Sequence, residues 1–173
     1  MANQFFVAPS PHVHSAESTT KIMRDVVIAL LPALVVSALL FGWSVLGVTA
    51  LSVVCCVVFE YLIQRFMLRG APTVGNLSAV VTGVLLAFVC APTLPYWMLI
   101  IGDFFAIVVV KQLFGGIGKN FVNPALAGRA ALVASYAGTM SGAWADPQAG
   151  WVPLAGTADV VTAATPLAAC ARY

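Results

Sequence analysis

The chain has 173 residues, of which 61% are hydrophobic and only 8% charged, with a net charge of +2. A water-soluble domain is about one-quarter charged, and a chain this apolar cannot cover a globular surface with polar groups, so it needs lipid as part of its solvent. The small net charge gives no basic surface for nucleic acid.

Residues Met1 to Thr20 are polar and mixed, with His12, His14 and Glu17. No short apolar stretch with a small-residue cleavage site comes first, so the first apolar run is expected to be an uncleaved, inserting helix. Two histidines in such an arm are expected to be solvated. Five hydrophobic segments follow: Val26 to Trp43, Val45 to Ile63, Leu77 to Val89, Tyr96 to Phe114 and Pro124 to Tyr136. The first, second and fourth approach the roughly 20 residues that cross a bilayer core. Backbone groups must be satisfied internally in lipid, so these spans are expected to be helices, with Pro32 kinking the first.

The third and fifth segments are short, about 20 Å of helix each. Each follows a glycine-containing loop, Gly70 to Asn76 and Gly115 to Asn120. Asn76 and Asn123 are candidate N-caps, and Pro124 suits a first helical position. Short, glycine-interrupted segments can place helix ends inside a membrane, where they hold a ligand or ion. The predicted fold is an all-α polytopic membrane protein of about five transmembrane helices, two of them short or discontinuous. It divides into an N-terminal arm (1–22), a helical membrane domain (23–137) and an extracytoplasmic segment (138–173).

Basic residues set the orientation. Lys21, Arg24, Arg65, Arg69, Lys111, Lys119 and Arg129 all fall on one side if every segment crosses, and Arg172 falls on the other. The positive-inside rule then places the N-terminus in the cytoplasm and residues beyond Ala137 outside it. Trp43, Tyr96, Trp97, Trp144 and Trp151 suit an outer interfacial belt.

Asp103, within the fourth segment, is either part of an ion path or a protonated or hydrogen-bonded packing residue. Glu60 is expected to snorkel or to pair with Gln64 or Arg65 one turn on. Lys111 reads as a contact to a flavin phosphate or quinone-like group or, by preference, as an interfacial anchor. Arg129 follows the glycine loop by about one turn and reads equally as an anchor or as a contact to a flavin phosphate or quinone-like group. The four cysteines, Cys55, Cys56, Cys90 and Cys170, have no metal-site spacing and read as small buried residues, so no metal site is expected.

The tail carries Asp159-Val160-Val161-Thr162-Ala163-Ala164-Thr165, which fits D-x-x-[S/T]-x-A-T. Chance occurrence in a chain this size is below roughly one in a hundred at average composition. The segment resembles the acceptor motif of transferases that attach FMN to threonine through a phosphoester. That resemblance makes Thr165 the attachment site, with Asp159, Thr162 and Ala164 as motif residues and Ala163 where glycine is commoner. A threonine hydroxyl can attack phosphorus once deprotonated, small neighbours leave room, and Pro166 holds the residue before it extended.

Three further stretches carry a wider resemblance: Ser10-Pro11-His12-Val13-His14-Ser15 with the run Asp25 to Ala33, then Ser78 to Ala87, then Lys111 to Ala125. In this order they resemble the family that unites the RnfD proteins of Rnf-type electron-transport complexes with the NqrB proteins of sodium-pumping quinone reductases. The short Ser-Pro-His arm favours the Rnf version. The resemblance implies a flavoprotein subunit of an ion-translocating oxidoreductase in a bacterial inner membrane. The complex would exchange electrons between ferredoxin and NAD and couple this to sodium or proton movement. It implies covalent FMN, leaves room for a second, non-covalent flavin, and implies the RnfA, RnfB, RnfC, RnfE and RnfG proteins and a flavin transferase as partners. It also implies two similar halves of opposite orientation, of which this chain matches the first. Two other readings stand beside it: a transporter or channel-like subunit, and a cofactor-free assembly subunit.

Overall fold

The computed structural model describes residues 18–67 and 74–142. The described residues are helical, without strands. Helix α1 (Thr19–Phe41) begins seven residues before the expected Val26. The cause is local: Ser18 caps it, its hydroxyl accepting the Lys21 N–H at 3.2 Å, so the polar turn before the apolar run is already helical. The helix continues through Pro32 and ends at Gly42, whose φ of 78° favours glycine. That one residue separates α1 from α2 (Trp43–Leu62), and a single π-helical turn, Ile63–Met67, extends α2.

A 3₁₀ turn at Val74–Asn76 leads into α3 (Ser78–Val89). The cap differs from expectation: Leu77, at φ 62°, occupies the N-cap position. Asn76 stands one residue earlier and accepts the Ser78 N–H at 3.3 Å. Helix α4 (Tyr96–Phe104) passes without a break into π-helical turns over Phe105–Gln112. The wider ladder shows in the i→i−5 bond from Leu113 N–H to the Val108 carbonyl at 3.1 Å, and a bond from Gly116 N–H to the Lys111 carbonyl at 2.9 Å closes the helix end around Gly115. Helix α5 (Pro124–Ser135) starts as expected, with Pro124 in its first turn and Asn123 accepting the Ala125 N–H at 3.0 Å. Asn123→Ala is expected to remove about 1 kcal/mol of stability, read from the unfolding midpoint in detergent.

A sixth helix, α6 (Ala137–Gly142), goes beyond the expected elements. Tyr136 breaks α5 at φ −135° and stacks edge-on with Trp97, ring centres 5.4 Å apart. The turn lets Met140 reach the core.

Helices α2, α3, α4 and α5 pack as the centre of the bundle, α1 lying against α2 and α3. Leu86, Met98, Leu99, Ala106, Ala125 and Leu132 form the main apolar core. Glycines set how closely the helices approach. A Cβ on Gly83 would lie 2.8 Å from the Val53 Cα, and one on Gly128 would lie 2.9 Å from the Gly102 carbonyl. Small residues at crossings are what membrane helices use where lipid removes the hydrophobic drive to associate.

Two helices, Thr19–Phe41 and Trp43–Met67, are long and apolar enough to cross a bilayer. None of α1 is buried, and Ile28, Leu31, Val35, Val36 and Leu39 are largely exposed. In water that face would be a large apolar patch; in a membrane it meets lipid or a neighbouring subunit. Trp43, Tyr96 and Trp97 are all more than half exposed.

Candidate functional site

Helix α2 and the π turn that extends it carry a buried polar line. Ser52, Cys56, Glu60 and Gln64 recur every four residues and are all buried. Residues four apart share a helix face, so α2 presents a polar seam to the interior. Its partners come from α3 and α4, in two clusters on successive turns.

The first cluster surrounds Glu60, which is 1% exposed. Its Oε2 pairs with Lys111 Nζ at 2.9 Å. Its Oε1 accepts from Gln64 Nε2 and Gln112 Nε2, both at 3.1 Å. Lys111 Nζ also donates to Ser78 Oγ at 2.6 Å. Adjacent residues on an α-helix point to different sides, yet Lys111 and Gln112 reach the same carboxylate; both lie in the π-helical segment, whose wider turn alters side-chain bearing. The pair is neutral as a unit and well bonded, the condition under which charges survive burial.

This arrangement corrects one expectation and meets part of another. Lys111 is not an interfacial anchor: it is 2% exposed and ion-paired. Glu60 does bond Gln64 one turn on, but it does not snorkel, because α4 brings a cation to it across 51 residues of sequence.

The second cluster surrounds Asp103, which has no exposed surface. Its Oδ1 lies 2.6 Å from Ser52 Oγ and 3.3 Å from Cys56 Sγ. Ser52 Oγ also lies 3.0 Å from the Gly83 carbonyl. Asp103 Oδ2 has no hydrogen-bond partner among the described residues. Cys56 is buried as expected, but its thiol faces a carboxyl group rather than an apolar wall. Arg129 lies half-buried on α5, outside both clusters.

An open cavity of about 440 Å³ adjoins the Glu60 cluster, lined by Ser78, Thr82, Lys111, Asn120, Asn123 and Pro124 among others. It therefore gathers the starting ends of α3 and α5 beside the glycine loop, where Gly115, Gly116 and Gly118 all take positive φ. Asp159, Thr162, Ala164 and Thr165 lie outside the described residues, as do His12, His14, Trp144 and Trp151. Among the described residues, no group of three or more His, Cys, Asp or Glu side chains could hold a metal ion.

Ser52, Cys56, Ser78 and Gln112 do not stand out in the sequence as site residues. The four-residue spacing along α2 is the available signal for the first two. Ser78 and Gln112 become visible only through helix pairing.

Such a bundle, all-helical, apolar outside and polar along one internal seam, defines a polytopic membrane protein. The chain belongs to the NQR2, RnfD, RnfE family, whose model matches residues 6–172. Among its relatives is the D component of the Na(+)-translocating ferredoxin:NAD(+) oxidoreductase complex of Acetobacterium woodii, 48% identical over 162 residues, which cover 94% of this chain and 48% of that protein. The D component of the proton-translocating ferredoxin:NAD(+) oxidoreductase complex of Clostridium ljungdahlii is 40% identical over 166 residues, 95% of this chain and 47% of that one. The D component of the ion-translocating oxidoreductase complex of Aliivibrio salmonicida is 39% identical over 133 residues, 76% of this chain and 38% of the relative. The chain spans about half the length, or less, of these curated relatives.

Proposed function

We propose that this chain is a membrane flavoprotein subunit of an Rnf-type complex that passes electrons between ferredoxin and NAD while moving sodium ions or protons. The observation that carries the reading is the D-x-x-[S/T]-x-A-T segment ending at Thr165, in a chain of this family. The acceptor chemistry fits the group: a secondary hydroxyl flanked by Ala164 and Pro166 suits a phosphoester of FMN. FMN, when bound, supplies the one- and two-electron chemistry. The chain's own part is to hold it and to supply the helical frame around it.

The orientation belongs to the same proposal. Lys21 and Arg24 stand in the first turns of α1, Arg65 just after α2 and Lys119 after the fourth helix, whereas Trp43, Tyr96 and Trp97 stand at the starts of α2 and α4. The basic end is cytoplasmic, and residues beyond α6 carry the flavin on the outer face of a bacterial inner membrane. The remaining partners are the other Rnf proteins and a flavin transferase. The cavity beside Lys111 supports a second, non-covalent flavin or quinone-like group, since its size falls within the roughly 300–1,000 Å³ of small-molecule sites.

Co-expression with the other Rnf proteins and a flavin transferase tests the covalent reading. The chain is expected to fluoresce as a flavoprotein band in a denaturing gel, and Thr165→Ala to be dark. A dark parent band, with a transferase active on a control substrate, would leave the transporter-like or assembly readings ahead.

A further inference from the structure

The Asp103 cluster presents a proton-counting problem. The Ser52 hydroxyl has one proton and two acceptors within reach, the Gly83 carbonyl at 3.0 Å and Asp103 Oδ1 at 2.6 Å. If Asp103 were a carboxylate, Ser52 and Cys56 would both donate to Oδ1. Oδ2 would then carry its share of a full charge in an enclosed place, with no hydrogen-bond partner among the described residues. Among the described residues no lysine or arginine forms an ion pair with it.

A proton on Oδ1 resolves the count. Oδ1–H donates to Ser52 Oγ, and Ser52 O–H donates to the Gly83 carbonyl. The Cys56 thiol still has an Oδ1 lone pair to face. Oδ2 becomes the carbonyl oxygen of a neutral acid, which is far less costly to leave bare than a charged one.

We infer that Asp103, Ser52 and the Gly83 carbonyl form a proton-binding site inside the helical bundle, a site for H⁺ and not for a metal cation. Ser52 Oγ and Oδ1 stand only 2.6 Å apart, at hydrogen-bond contact, so no ion fits between them. A hard cation such as Ca²⁺ gathers six or more oxygens, and here one neighbour is the sulfur of Cys56. Among the described residues, Asp103 acts electrostatically on Cys55 and Cys56 from α2 and on Cys90 after α3, while Lys111 and Arg129 act on Cys56 and Cys90 respectively. Helix α5 meets α4 beside Asp103 with Gly128 and Leu132. Loss of the proton leaves a carboxylate and one H⁺ that departs. It also turns the Ser52 hydroxyl from Gly83 toward Oδ1 and so breaks a link between α2 and α3. Proton occupancy and helix contact are thereby coupled. None of this uses residues 159–165, so it stands or falls apart from the flavin reading.

Infrared spectroscopy of the chain in lipid at neutral pH tests the inference. The parent is expected to show a carboxylic-acid C=O band that moves in D₂O. The band should vanish in Asp103→Asn, persist in Glu60→Gln, and rise in frequency in Ser52→Ala, which loses the bond to Oγ. Sodium chloride and choline chloride should give the same band. The Ser52→Ala shift keeps the test decisive if Asp103→Asn does not fold. An identical band in parent, Asp103→Asn and Ser52→Ala would overturn the inference, and so would its disappearance on adding sodium.

Discussion

Lys111→Met is expected to destabilise the bundle by about 3–5 kcal/mol, because it removes one partner of a buried ion pair and leaves the other charged. Glu60 is 1% exposed and lies 2.9 Å from the lysine nitrogen. After the substitution, among the described residues only Gln64 and Gln112 would still donate to it. Two amide donors stabilise a carboxylate less than an ammonium group does. Combining Lys111→Met with Glu60→Gln should recover most of the loss, since the pair is then replaced by two neutral groups. Equilibrium unfolding in mixed micelles, run as a double-mutant cycle, gives the coupling directly. Equal stability of the parent and the single variant would mean that the charges are not enclosed as described.

Gly83→Leu is expected to cost about 3 kcal/mol and to alter the Asp103 cluster as well. The added Cβ would lie 2.8 Å from the Val53 Cα and 3.0 Å from its nitrogen, so backbone rather than a yielding side chain opposes it. Overpacking of this kind costs about 1–3 kcal/mol, occasionally more. Here α2 and α3 must also part, which stretches the Ser52 bond to the Gly83 carbonyl. The expected readout is a lowered unfolding midpoint, together with changed reactivity of Cys56 toward a small, membrane-permeant thiol reagent. An unchanged midpoint would contradict the close approach of these helices.

Much of the architecture is legible in the sequence because hydropathy dominates a chain in lipid. Each of the five apolar runs corresponds to a helix, and the short third and fifth runs are short helices. Asn123 and Pro124 mark the start of α5 because both act through bonds to their immediate neighbours. The start of α1 escapes a hydropathy reading because Thr19 to Asp25 is polar, and capping by Ser18 extends a helix without any apolar signal. The π-helical turns over Phe105–Gln112 leave no such mark either.

The polar interior is only partly readable. Asp103 stands out as a carboxyl group within an apolar run, whatever its partners. Lys111 misleads because a lysine near the end of an apolar segment commonly reaches the interface. Its fate here depends on Glu60, 51 residues away, and on how α4 turns. Ser78 has no signal of its own, since a serine at a helix start ordinarily reads as a local cap.

Intact-protein mass tests most directly whether Thr165 carries FMN. The chain purified from cells that also express the other Rnf proteins and a flavin transferase is expected to gain the mass of FMN less one water, and Thr165→Ala to gain nothing. An unmodified parent beside an active transferase, or an adduct that survives in Thr165→Ala, would contradict the assignment.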